Sequence, residues 1–143
     1  MLNFTQKYTN KEDVLNDAPQ RKVRLECLSS DLLEDVDVIV AVMKEWGYQY
    51  SELSQKMKDN KLVALTAVTR WGQALKQVNE KFKNDKELVM ASLKSNGMNL
   101  EYAGEQMKDT EDVVLCAVKK NPASYRFVSE RLKKNDEVIR TKI

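Results

Sequence analysis

The chain contains no histidine, which removes the commonest general base and the commonest metal ligand together. Neither a Gly-rich phosphate loop nor a Gly-x-Ser-x-Gly nucleophile motif is present. The acids Glu34, Asp35 and Asp37 are close enough in sequence to suggest a cation site, but no oxygen-rich loop follows them. Their position suits the start of a helix, where the dipole favours carboxylates. Cys27 and Cys116 stand too far apart for a metal motif and sit in apolar runs, the setting of a buried reduced thiol. What remains is recognition chemistry.

Three groups of residues could supply it. Trp46 and Trp71 lie 25 residues apart, with Tyr48 beside the first and Arg70 beside the second. Trp, Tyr and Arg are the favoured anchors of protein interfaces. Asn96 and Asn121 continue the same column, so the fold does not require an aromatic there; the tryptophans either face a partner or pack over a turn. Tyr102 and Phe127 form a second aromatic pair, in a column occupied earlier by Glu52 and Gln77, and suit either a C-terminal contact patch or burial under a cap. The third group is the lysine column Lys58, Lys83, Lys108 and Lys133, preceded two residues earlier by Lys56, Lys81 and Arg131. It could track a phosphate backbone, or simply complement helix C-termini.

The same interval runs through the whole chain. Gly47, Gly72, Gly97 and Pro122 are spaced by 25 residues, and so are most apolar positions after residue 34. A tandem repeat stacks small units rather than wrapping one core, and it usually presents an extended surface. The units read as residues 34–58, 59–83, 84–108 and 109–133, with a truncated helix at 134–143 and an N-terminal cap plus degenerate half-repeat at 1–33.

Each unit opens on a polar start with acids, then an apolar run such as Val63-Ala64-Leu65-Thr66-Ala67-Val68. Six apolar residues in a row fit a buried strand or a buried helix. Ala, Leu and Met in the later runs, and Asn84 with Glu87 or Asp109 with Asp112 as N-terminal caps, favour a helix A. The Gly slot then predicts a left-handed helix end, with Pro122 forcing a different turn and opening the next helix in the last unit. Columns such as Tyr50, Leu53 and Met57, spaced i, i+3, i+7, predict one amphipathic helix B. By the same spacing Leu25, Leu28 and Leu32 make residues 21–33 a helix B, while Tyr8 to Pro19 reads as a cap that has lost the helix A pattern. Arg140 and Lys142 give the last helix a polar, capping face.

The third unit carries Asn96-Gly97, Leu100-Glu101-Tyr102-Ala103 and a basic end, after an acidic cap and a Val-Met-Ala-Ser-Leu run. In these features residues 34–143 resemble the helical repeats of the domain of unknown function 4116 family. That resemblance implies an all-helical repeat fold and brings no activity or catalytic residues. Trp-Gly in the first two units and Asn121-Pro122 in the fourth depart from the pattern.

Bulk properties narrow the function classes. The 143 residues hold 24 Lys plus Arg and 22 Asp plus Glu, a net charge of +2, well short of a dedicated nucleic-acid binder. The start Met1-Leu2-Asn3-Phe4-Thr5-Gln6-Lys7 resembles no signal peptide, and no apolar run is long enough to span a bilayer. The expectation is an all-α, short α-solenoid of helical pairs: a cytoplasmic, non-enzymatic protein without cofactor or metal. It would bind a protein partner through Trp46, Tyr48, Arg70, Trp71, Tyr102 and Phe127, in the manner of a small inhibitor of a larger enzyme. The alternative is a nucleic-acid backbone binder using Lys58, Lys83, Lys108 and Lys133.

Overall fold

A computed structural model describes residues 7–135. The protein is all-helical, and among the described residues the only β pairing is an isolated parallel bridge between Tyr8 and Leu28. Four helices of ten or eleven residues form its spine: α2 (Val36–Trp46), α4 (Lys61–Arg70), α6 (Lys86–Ser95) and α8 (Glu111–Lys120). The shorter helices are α1 (Lys11–Asp17), α3 (Gln55–Lys58), α5 (Glu80–Lys83), α7 (Glu105–Lys108) and α9 (Glu130–Lys134). α1 packs on α2, α2 on α4, α4 on α6 and α6 on α8. Their apolar faces meet in a continuous core that includes Ile39, Val42, Val63, Ala67, Leu88, Leu93, Val114 and Ala117. No helix this short is stable alone in water, so burial against the neighbour must hold each one.

Both ends of the spine helices are pinned in register, which makes successive helices parallel. At the N-terminal end, Lys11 pairs with Asp35 and Asp37, and Lys61 with Asp85 and Glu87; Lys86 contacts Asp112. At the C-terminal end, a glycine following one helix lies against the last turn of the next: Gly47 on Ala67 and Arg70, Gly97 on Ala117 and Lys120.

These glycines correct one expectation. No glycine among the described residues has a positive φ, and Gly47 lies at φ −53°, ψ −29°. A Cβ at Gly97 would stand 2.3 Å from the Ala117 carbonyl oxygen, and one at Gly47 would stand 2.8 Å from the Ala67 oxygen. The Gly column exists because two backbones approach closely, not because the chain turns left-handed. Pro122 accordingly opens its segment as expected but without a different turn: it starts a 3-10 helix, as the glycines do.

The single helix B is also corrected. Each spine helix is followed by a six-residue 3-10 helix (Gly47–Glu52, Gly72–Gln77, Gly97–Tyr102, Pro122–Phe127), then by two extended residues, then by a new short helix. Leu53, Val78, Ala103 and Val128 take φ near −70° with ψ between 144° and 161°, which breaks the helix. Gly47, Tyr50 and Leu53 recur every third residue, the 3-10 period, and the step of four to Met57 crosses the break. The hydroxyl of Ser54, the side-chain carbonyl of Asn79 and the hydroxyl of Ser129 cap the new short helices. Polar residues in the middle of the expected helix B were the signal of that restart.

The helix A caps fall one residue later than expected. Asp35, Asn60 and Asp85 accept the first amides of α2, α4 and α6, while Thr110 precedes α8 without capping it by its side chain. Three of the polar residues one position earlier serve as acceptors instead, all but Asn84: Ser54 donates to Glu34, Asn79 to Asp59 and Ser129 to Asp109. In the N-terminal region, residues 21–33 form no helix B but two 3-10 turns, Leu25–Cys27 and Leu32–Glu34, the second running one residue beyond. Tyr8–Pro19, expected as a cap lacking helix A, contains α1 with Val14 and the adjoining Ala18 buried. Most of the C-terminal helix expected at 134–143, including Arg140 and Lys142, lies outside the described residues.

Candidate functional site

The acids Glu34, Asp35 and Asp37 are consumed by structure. Asp35 caps α2, Asp35 and Asp37 hold Lys11, and Glu34 accepts from Ser54. Burial raises the Asp35 carboxyl, yet the Val38 amide and Lys11 outweigh it and leave it below its ordinary value. Cys27 is buried and Cys116 half-buried, and neither forms a disulfide.

The tryptophan corner is assembled where α2 and α4 end. Trp46, at the end of α2, is half-buried and packs against the core. The Arg21 guanidinium lies 4.8 Å from its ring centroid and that of Arg24 lies 5.3 Å away, so cation–π contacts cover the indole. Tyr48 meets Trp46 edge-on, with centroids 6.0 Å apart, and Arg24 lies 5.8 Å from the Tyr48 centroid. Arg21 reaches this place from a left-handed backbone (φ 59°), the only positive φ at a non-glycine among the described residues. Such a conformation costs an L-residue about 1–2 kcal/mol, which the stacking on Trp46 and the 3.8 Å pair with Glu45 offset.

Trp71 follows α4 and is also half-buried. With Arg70, Tyr48, Arg21, Glu45 and Gly47 it lines a cleft of about 160 Å³. A second groove of about 370 Å³ opens beside it, floored by Leu65, Thr66 and Thr69 and flanked by Lys44 and Arg70. The structure thus brings Trp46, Tyr48, Arg70 and Trp71 together, with Tyr48, 43% exposed, the most accessible aromatic of the corner. Sequence reasoning missed Arg21, Arg24, Lys44 and Glu45 here. Arg21 was recoverable, standing 25 residues before Trp46.

Tyr102 and Phe127 end their 3-10 helices and are half-buried. Tyr102 lines a separate cleft with Lys83, Asn84, Gly104 and Gln106, and Arg126 lies 5.0 Å from the Phe127 centroid. They do not join the tryptophan corner.

The lysine column is largely neutralised. Lys83, Lys108 and Lys133 pair with Glu80, Glu105 and Glu130 at 2.8, 3.5 and 3.7 Å, each one turn earlier on the same element. Lys58 of this column has no ion pair among the described residues, and further unpaired cations stand elsewhere. Lys44, Arg70, Lys94, Lys119 and Lys120 occupy the last turns of the spine helices. All five are exposed and have no ion pair among the described residues. The signal available for them was their place at the end of helix A, just before the Gly column.

Short helices packed in sequential order, none among the described residues long and apolar enough to cross a membrane, define an all-helical protein. The chain belongs to the family described as a domain of unknown function (DUF4116), whose model matches residues 60–108 and 110–141. Neither a curated protein nor a solved structure matches it.

Proposed function

We propose that the chain is a short α-solenoid of 25-residue units, at 34–58, 59–83, 84–108 and 109–133, that acts without catalysis by binding a protein partner. The observation that carries this reading is the corner where Tyr48, Arg70 and Trp71 line an open cleft, with Trp46 edge-on to Tyr48 beside it. Rigid aromatics flanked by arginines are the composition of interface hot spots, and a scaffold pinned at both helix ends pre-organises them. Such a surface suits occupation of a groove or cleft on a larger protein, including inhibition of an enzyme.

The test is affinity capture from nuclease-treated native lysate with wild type and the Tyr48→Ala, Arg70→Glu variant. Both residues are exposed, so the variant keeps its fold, which circular dichroism checks. A stoichiometric protein retained by wild type and lost by the folded variant is the expected result. Equal capture by both removes the corner from the interface.

A further inference from the structure

We propose that the C-terminal end of the spine helices receives an extended acidic segment of a protein partner, with carboxylates at every third residue and one apolar side chain in the Leu65 groove. The proposal rests on the protein-binding reading and names the partner's chemistry.

Charge is the first argument. The net charge of the chain is only +2, and its cations are paired differently at the two ends of the spine helices. The N-terminal ends of the spine helices are neutralised across units, where Lys11, Lys61 and Lys86 meet acids of the next helix. The C-terminal ends carry Lys44, Arg70, Lys94, Lys119 and Lys120 with no such partner among the described residues. Arg21 and Arg24 adjoin them, and the nearby carboxylates are Glu45 and Glu26, already paired with those two arginines. Helix C-termini contribute roughly half a negative charge each, too little to cancel these unpaired cations.

Spacing is the second argument. The glycine contacts hold the helix ends in register, and packed helices stand about 8–10 Å apart. A peptide extended as a polyproline II helix advances about 3.1 Å per residue and returns to the same face every third residue, so its side chains meet successive units at every third position. The 370 Å³ groove of Leu65, Thr66 and Thr69 lies between Lys44 and Arg70. It offers apolar burial at one point along an otherwise electrostatic track. Base stacking on Trp46 is opposed by Arg21 and Arg24, which lie over its ring, and competition by oligothymidylate tests whether a nucleic acid takes this edge instead.

The probe is a labelled peptide of about 12 residues, long enough at about 3.1 Å per residue to cross four units. It carries Glu at every third position, a central Leu, and Gly and Ser elsewhere. Fluorescence anisotropy compares it at low salt with a peptide of the same composition whose glutamates are grouped at one end. The spaced peptide is expected to bind about tenfold more tightly, a difference of about 1.4 kcal/mol. The Lys94→Gln, Lys119→Gln variant should weaken it about tenfold, and the Lys58→Gln, Lys133→Gln variant, which removes equal charge, by less than about twofold. Equal binding of the two peptides, equal loss in the two variants, no binding, or displacement of the spaced peptide by oligothymidylate at lower concentration would each overturn the acidic-segment proposal. If it fails while lysate capture remains sensitive to Tyr48→Ala, Arg70→Glu, the protein-binding reading stands without it. If capture ignores that variant, the reading beneath it falls as well.

Discussion

Replacing Gly97 by Ala separates the two physical roles that a regularly spaced glycine can play within this chain. The built Cβ would lie 2.3 Å from the Ala117 oxygen, 3.0 Å from the Asn121 nitrogen and 3.1 Å from the Lys120 Cβ. The first two are backbone atoms, already bonded to one another across 2.8 Å at the end of α8. Restoring ordinary contact requires the Gly97 segment and α8 to part by about 1 Å, and overpacking of this kind costs about 1–3 kcal/mol. Ala also restricts the unfolded chain, which returns about 0.4–1 kcal/mol because the native φ is one Ala accepts. The expected net loss is about 1–2 kcal/mol, a fall in Tm of about 3–8 °C for a chain of this size. The Gly97→Asn change provides the discriminating comparison. A left-handed turn would favour Asn over Ala, whereas a close approach penalises its greater bulk. Urea unfolding followed by helical circular dichroism should therefore rank wild type above Gly97→Ala and Gly97→Ala above Gly97→Asn. Asn milder than Ala, or both within about 0.5 kcal/mol of wild type, the range of inert surface changes, would refute the close-approach account.

The hydrogen bonds from Ser54 to Glu34, Asn79 to Asp59 and Ser129 to Asp109 have no counterpart at one place: Asn84 Oδ1 is buried without a hydrogen-bond partner, opposite Gly104. Asn84→Asp with Gly104→Ser, copying Asp109 and Ser129, should be more stable than the two single changes predict by about 1 kcal/mol; additive melting shifts would contradict this. Asp109 is held below its ordinary carboxyl value first by the Ser129 hydroxyl and then by Arg131. A depressed folded value contributes stability above the unfolded pKa of about 3.9 and loses it as pH falls through the folded one, so urea midpoints should drop below about pH 4. Asp109→Asn should flatten that acid limb, and an unchanged limb would assign the linkage elsewhere. Arg21→Ala should uncover Trp46, shifting its emission to the red and admitting iodide quenching, whereas Arg21→Gly should do the same with less loss of stability because Gly accepts φ 59°. Equal stability of the two would show that the left-handed backbone carries no strain.

Helical character and the position of the apolar core were legible because six-residue apolar runs with Ala and Leu leave few other solutions. The same composition hid the 3-10 segments. Tyr50, Leu53 and Met57 satisfy an i, i+3, i+7 pattern, and only polar residues such as Ser54, Asn79 and Ser129 betray that a new helix begins between the last two columns. The glycines were recognisable as special, but sequence cannot distinguish a positive φ from a backbone pressed against a carbonyl 20 residues away. At the corner, Trp46, Tyr48, Arg70 and Trp71 were readable from one column and its neighbours. Arg24 was not, because it arrives through an irregular N-terminal turn with no periodic signature. Within the lysine column the ion pairs follow a local rule: Glu80, Glu105 and Glu130 lie one turn before Lys83, Lys108 and Lys133, where helical geometry makes ion pairs.

The cross-links between neighbouring helices share a short reach along the chain. Lys61 to Asp85, Asn79 to Asp59, Ser92 to the Gly72 carbonyl, Arg21 to Glu45 and Ser129 to Asp109 each join residues 20 to 24 positions apart. Closing such loops costs little entropy, and a topology of near neighbours folds quickly. A segment leaving the ribosome therefore finds its stabilising partner in the stretch made just before it. Order can grow from the first helix to the last as synthesis proceeds, without waiting for the C-terminus.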